Sequence, residues 1–210
     1  MLLENSQNSK KYQIILADPP WKQKGGTPFG PYKKVNGKQV FNMASTTSLD
    51  LPYDTLSIEK IKDIPVANIS GKDAVLFIWA TNKHLPLVFD IINSWGFKYS
   101  TTLVWCKKPF GGGMGGTFRV ATEFLIFARK GSLKGNKNIR KTWFDVKRKY
   151  VNGYPKHSLK PYFFRDMIND LFDGNKIELF AREKTEGWTS IGYDIDGIDI
   201  KESLDKLITQ

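Results

Sequence analysis

Cysteine and histidine are nearly missing from this chain: Cys106, His84 and His157 are all that 210 residues contain. A single thiol excludes an internal disulfide framework, and three such ligands leave no zinc site and no metal centre to propose. Long apolar runs are missing as well. The richest stretch, Ala74 to Ala80, has the length of a buried strand and falls far short of the roughly 20 residues that cross a bilayer. The start, Met1 to Lys11, is polar and shows no secretory signal, so a cytoplasmic protein away from membranes is expected. Acid is scarce in particular places. No Asp or Glu occurs between Pro19 and Leu49, where Lys22, Lys24, Lys33, Lys34 and Lys38 fall, and none between Ile91 and Thr122. From Arg129 to Lys149, nine basic residues face Asp145 alone.

What the chain does carry is a net charge of +11. The basic residues gather on loop-like segments rather than spreading evenly, which suits phosphate contacts better than a merely solvated surface. Nucleic acid is therefore the expected partner. An apolar content of 40% points to a packed globular chain, and the length suits a single domain over residues 1–210.

Short buried strands alternate with amphipathic helices. Gln13–Ala17, Asp73–Ala80, Phe97–Cys106, Thr122–Ala128, Lys176–Ala181 and Thr189–Tyr193 read as strands. A helix starts at Ser57-Ile58-Glu59 and stops before Pro65. A second runs from Lys83 to Trp95 and ends at Gly96, where a C-terminal cap belongs. A third spans about Lys160 to Phe172, with Pro161 in its first turn, and a short one lies near Lys201–Ile208. Such alternation predicts an α/β sheet with helices on both faces and its ligand at the carboxyl ends of the strands. Three long basic loops, at about 22–52, 107–121 and 130–159, interrupt it. Loops of that length are usually functional. The glycine run Gly111 to Gly116 lacks the spacing of a dinucleotide loop and reads instead as a flap.

The tetrad Asp18-Pro19-Pro20-Trp21 directly follows the first strand. Each proline fixes φ and removes a donor, so Asp18 and the Pro19 carbonyl form two rigid acceptors beside a flat indole. That construction suits a planar base with an exocyclic amino group. A plain turn after a strand is the alternative reading of the same residues.

With that tetrad, several further segments resemble the MT-A70 family of S-adenosylmethionine-dependent adenine-N6 methyltransferases. They are Leu51-Pro52-Tyr53, Leu76-Phe77-Ile78-Trp79-Ala80-Thr81-Asn82, Trp95-Gly96-Phe97, Val104-Trp105-Cys106-Lys107 and Glu123-Phe124-Leu125. His157-Ser158-Leu159-Lys160-Pro161, Ile177-Glu178-Leu179-Phe180-Ala181-Arg182 and Gly187-Trp188 continue the series. The likeness covers about residues 12 to 200. It implies a Rossmann-like class I methyltransferase sheet in permuted order, with the catalytic tetrad ahead of the cofactor strand.

Site roles follow from the same likeness. The catalytic group is Asp18, Pro19, Pro20 and Trp21, with Trp21 and Tyr53 as stacking surfaces for the base and Lys22, Lys33 and Lys34 on the nucleic acid. Asp18, Lys160, Phe180, Arg182, Tyr193 and Asp194 are the expected contacts to S-adenosylmethionine. In the family, the lysine matching Lys160 meets the methionine carboxylate, which answers a physical oddity, since a cation at a helix start opposes the dipole. Asp194 at a strand end can accept from ribose hydroxyls. DNA is favoured over RNA as the polymer. A catalytically inactive nucleic-acid-binding subunit and a cytosine-N4 methyltransferase are the rival readings, and a homodimer or a partner subunit is left open. Two departures stand out: the segment from Trp21 to Leu51 is long, and little chain precedes the tetrad to hold the cofactor's adenine. Residues 129–159, or Gln7 and Asn8, are the expected substitutes.

Overall fold

A computed structural model describes residues 11–22, 33–35, 38–40, 55–108, 117–148, 150–151, 154–155 and 159–209. The chain passes through β1 (Tyr12–Ala17), a hairpin of β2 (Lys33–Val35) and β3 (Lys38–Val40), and helices α1 (Ile58–Lys62) and α2 (Val66–Ile69). β4 (Ser70–Ala80), α3 (Leu85–Ser94), β5 (Lys98–Lys108), β6 (Thr122–Lys130) and β7 (Trp143–Lys147) follow. The short pair β8 (Tyr150–Val151) and β9 (Tyr154–Pro155) leads to α4 (Tyr162–Leu171) and β10 (Lys176–Leu179). β11 (Trp188–Ile191), α5 (Tyr193–Asp196) and α6 (Ile200–Ile208) end the series.

Seven strands form one sheet in the order β11-β10-β1-β4-β6-β5-β7. Strands β11, β10, β1 and β4 pair in parallel, as do β5 and β7, while β6 runs against both of its neighbours. The fold is thus α/β and Rossmann-like, with one reversed strand. β1 sits inside the sheet, and its side chains alternate between two cores. Ile15 and Ala17 join the layer with Ile92 of α3 and Leu204 of α6, while Ile14 and Leu16 join the layer with Phe164 and Ile168 of α4. This period-2 division is what burial on both faces requires.

Local rules account for most boundaries. Ser57 caps α1, its hydroxyl accepting from the Lys60 N–H at 3.3 Å, as the serine before an apolar run predicts. Gly96 has φ +79 and ends α3, in the left-handed region that glycine enters at little cost. Three expectations need correction. Residues 143–147 are not loop: β7 extends the sheet beside β5, and its Lys and Asp residues hide the alternation. Tyr193 and Asp194 open the helix α5 rather than ending a strand. Lys160 lies before α4, outside any helix or strand, with Pro161 as the cap, so the dipole argument does not apply to it. No helix among the described residues is long and apolar enough to cross a membrane.

Ile92 is fully buried between α3 and the sheet. Ile92→Ala is expected to lower unfolding free energy by about 2–5 kcal/mol, read from urea titrations, through lost transfer energy and the cavity left behind.

Candidate active site

The carboxyl ends of β1, β10 and β11 meet along one edge of the sheet. β1 delivers Asp18, β10 delivers Phe180 and Arg182, and β11 leads to Tyr193 and Asp194. These five residues line one cleft of about 520 Å³, completed by Leu56, Ile198 and Asp199 among others. A smaller cavity adjoins it through Asp18, Phe180 and Arg182, and reaches Lys160, Arg165 and Glu178. Apolar lining of the first cleft comes from Leu56 and from Ile198 in the turn after α5, and no described residue of 129–159 lines it. Gln7 and Asn8 lie outside the described residues.

The tetrad is held by its own backbone. The Trp21 N–H donates to the Pro19 carbonyl at 2.8 Å, closing a tight turn around Pro20, and the Leu56 N–H donates to the Pro20 carbonyl at 2.9 Å. The Pro19 carbonyl keeps a second lone pair for another donor. Trp21 does not offer an open surface. Its indole is 5% exposed, stacks on His84 at 5.0 Å and 15°, and donates to the Trp79 carbonyl at 3.1 Å. The residue expected to stack on a base instead braces the tetrad from behind. Tyr53, and the side chains of Lys33 and Lys34, lie outside the described residues, while Lys22 is exposed.

His84 had no assigned role in the sequence. Its Nδ1 accepts from the Thr81 hydroxyl at 2.8 Å and its Nε2–H donates to the Lys22 carbonyl at 3.3 Å, which fixes the neutral tautomer. Burial pushes its imidazole below the ordinary range; the bond to Lys22 opposes the shift in part, and Lys83 adds to it.

Charge in the site is paired. The Lys160 ammonium donates to both oxygens of Asp18, at 2.8 Å each, and lies 3.5 Å from Glu123 Oε2. Lys107 grips the other oxygen of Glu123. Glu123 reaches this edge because β6 is reversed and starts there, opposite Trp105 of β5. Burial would push the Lys160 ammonium down, but Asp18 and Glu123 outweigh it and hold it above its ordinary value. Burial likewise opposes ionisation of Glu123, and Lys160 with Lys107 overcomes that and keeps its carboxyl low. In the smaller cavity Arg165 donates to Glu178 Oε1 at 3.1 Å, while buried Oε2, although 3.0 Å from the guanidinium, receives no well-aligned hydrogen bond. Burial raises the Glu178 carboxyl, with Arg165 offsetting only part of the rise.

The backbone around the cleft is tight. Phe180 has φ +62, a conformation that bulky side chains rarely adopt, and it starts the short return from β10 to β11 through residues 180–187. A Cβ on Gly192 would stand 2.3 Å from the Ala181 carbonyl oxygen, so only glycine fits there without a backbone shift.

The basic run from Arg129 does not surround the site as a unit. Arg129 and Lys130 end β6 at the opposite edge of the sheet, bonded to the Leu133 carbonyl and the Ser70 hydroxyl. Lys137 pairs with Asp170 near the far end of α4. Lys147, paired in register with Lys108 at the end of β5, lies on the site's edge.

The sequence model of the MT-A70 family matches residues 12–194, nearly the whole sheet and both sides of the cleft. The chain belongs to the MT-A70 family. As an MT-A70 protein it is a methyltransferase, and its similarities run to both bacterial and eukaryotic members. It is 32% identical over 192 residues to the type II methyltransferase M.MunI of Mycoplasma sp, covering 89% of this chain and 78% of that protein. It is 26% identical over 204 residues to the N6-methyladenosine RNA methyltransferase MTA1 of Pyricularia oryzae, covering 90% of this chain and 48% of that one. Identity to the human N(6)-adenosine-methyltransferase catalytic subunit METTL3 is 26% over 200 residues, covering 90% and 29%. The chain thus spans less than half the length of these two relatives.

Two outcomes follow for the MT-A70 site. Gly192→Ala should cost about 1–3 kcal/mol in denaturant titrations, since the clash is with backbone and cannot be relieved by a rotamer change. For His84, the unfolded chain takes up a proton before the folded one. Stability is therefore full above about pH 6.5 and declines as pH falls through the depressed folded value. In His84→Phe, which preserves a ring against Trp21, that decline should vanish from urea midpoints measured across the same range.

Proposed function

We propose that this MT-A70 methyltransferase transfers a methyl group from S-adenosylmethionine to N6 of adenine in a nucleic acid, with DNA the favoured polymer. The observation that carries the reading is the meeting of two cavities at Asp18, Phe180 and Arg182, with the tetrad at their junction. The larger cleft offers Asp194 and Asp199 as acceptors for ribose hydroxyls, beside apolar Leu56 and Ile198. The smaller one offers Lys160 to a carboxylate and Glu178 Oε2, which receives no well-aligned hydrogen bond from Arg165, to an ammonium group, so both poles of an amino acid find a partner. These residues fit S-adenosylmethionine, which when bound supplies a methyl group on a sulfonium centre.

Asp18 and the second lone pair of the Pro19 carbonyl accept the two N–H bonds of the target amine. The lone pair of that amine is delocalised into the adenine ring, and acceptors on both N–H bonds favour the pyramidal geometry of attack. Acceptance from a nitrogen that is becoming cationic strengthens in the transition state, which is the condition for catalysis. The turn around Pro20 and the buried Trp21 brace hold both acceptors in place, and alignment of that kind is worth up to about 7–11 kcal/mol in intramolecular reactions. The adenine must leave its stack to reach Asp18. Higher identity and fuller mutual coverage with the type II methyltransferase than with the two eukaryotic relatives, one of them named for RNA, support DNA.

The test is methylation of single- and double-stranded DNA and RNA with labelled S-adenosylmethionine, followed by nucleoside analysis. N6-methyladenine from DNA is expected; N4-methylcytosine, or no transfer to any polymer, would sink the reading. Asp18→Asn should lower kcat by about 10²- to 10³-fold, on the scale of losing one preorganised transition-state contact, while binding of S-adenosylhomocysteine persists.

A further inference from the structure

Asp18 is covered. The Lys160 ammonium donates to both of its oxygens at 2.8 Å. A carboxylate so engaged keeps lone pairs, but its charge is neutralised and its strength as an acceptor for a developing cation is reduced. The same ammonium has a second carboxylate within reach, Glu123 at 3.5 Å, whose other oxygen is pinned by Lys107. It also lies 5.4 Å from the centre of the Trp79 ring, a surface that tolerates a cation. Lys160 thus sits between alternative partners just ahead of the Pro161 cap, outside the helical turns of α4.

Resting on the proposed function above, we infer that Lys160 is a movable cover: it masks Asp18 until the carboxylate of the methyl donor draws the ammonium away, so that Asp18 accepts the adenine amino group only after the donor has bound. Glu123 is the positioning residue of this device. Pinned by Lys107, it attracts the ammonium throughout, so Lys160 can leave Asp18 without becoming a buried charge with no counterion, which is a costly state. Asp18 and Glu123 against Lys160 and Lys107 sum to zero, and movement of the ammonium redistributes charge inside the cluster without changing that sum. Release gives Asp18 its full negative charge when a sulfonium and an amine that is becoming cationic are to stand beside it. The predicted consequence is ordered binding, donor before base.

The test needs no turnover. Fluorescence anisotropy compares two oligonucleotides, one with adenine at the target position and one with purine, which lacks the amino group. In wild-type protein the preference for adenine should be weak alone, rise about ten-fold with saturating S-adenosylhomocysteine, and stay weak with 5′-methylthioadenosine, which lacks the carboxylate. Lys160→Met should show the preference with no additive, and Glu123→Gln, which removes the second carboxylate from reach of the ammonium, should blunt the rise, with Glu123→Asp restoring it. Equal preference with and without S-adenosylhomocysteine, or an equal rise with 5′-methylthioadenosine, overturns the inference, and the wild-type comparison holds even where a variant fails to fold. If calorimetry finds no binding of S-adenosylhomocysteine, the proposed function itself fails, a result distinct from binding without a gain in preference.

Discussion

One ammonium group shared between two carboxylates ties this edge of the sheet together. Asp18 leaves β1, Glu123 opens the reversed strand β6, and Lys160 comes from the segment that enters α4. No two of these segments adjoin in sequence. Each charge lies mostly out of water, with side chains 14–18% exposed, so desolvation is a cost that only mutual pairing offsets. Removing one member leaves an uncompensated partner, and for buried pairs that is worth about 3–5 kcal/mol. The same pairing holds the Asp18 carboxylate at the point where two cavities join.

The architecture beneath is arranged to hold that edge still. Trp79, Trp105, Phe144 and Phe164 pack edge to face under the charged cluster, with Trp79 and Phe164 at 4.9 Å and 88°. Such arrangements fix ring orientation as well as burying area. On the other face of the sheet, Trp21 and His84 lock the tetrad to the start of α3. Strain at Phe180 belongs to the same economy: a left-handed bulky residue persists only where its surroundings over-determine it, and such residues gather at ligand sites.

Much of this was legible in the sequence. Alternation located β1, β4, β5, β6 and the buried face of α4, and the Asp-Pro-Pro-Trp run marked the strand end that faces the cleft. Other features were hidden for physical reasons. β7 alternates in burial, but its charged residues resemble the basic loop around it. Glu123 stands in a family-like segment with no role legible from sequence, because strand direction is not written in a strand's own residues. Lys160 and Asp18 are separated by 142 positions, and no local spacing rule couples them. Trp21 reads from sequence as an open surface, since nothing near it announces that His84 covers it.

The contact between Gly192 and the Ala181 backbone also separates what is plastic in the cleft from what is not. Where main chain meets main chain, the width of the opening cannot be tuned by exchanging side chains. Leu56, Ile198 and Ile200 line the same cleft with side chains, which can be trimmed. If the cleft takes the donor as proposed, room for an enlarged analogue would come from trimming those side chains, and a variant library aimed at the glycine side would be spent on backbone.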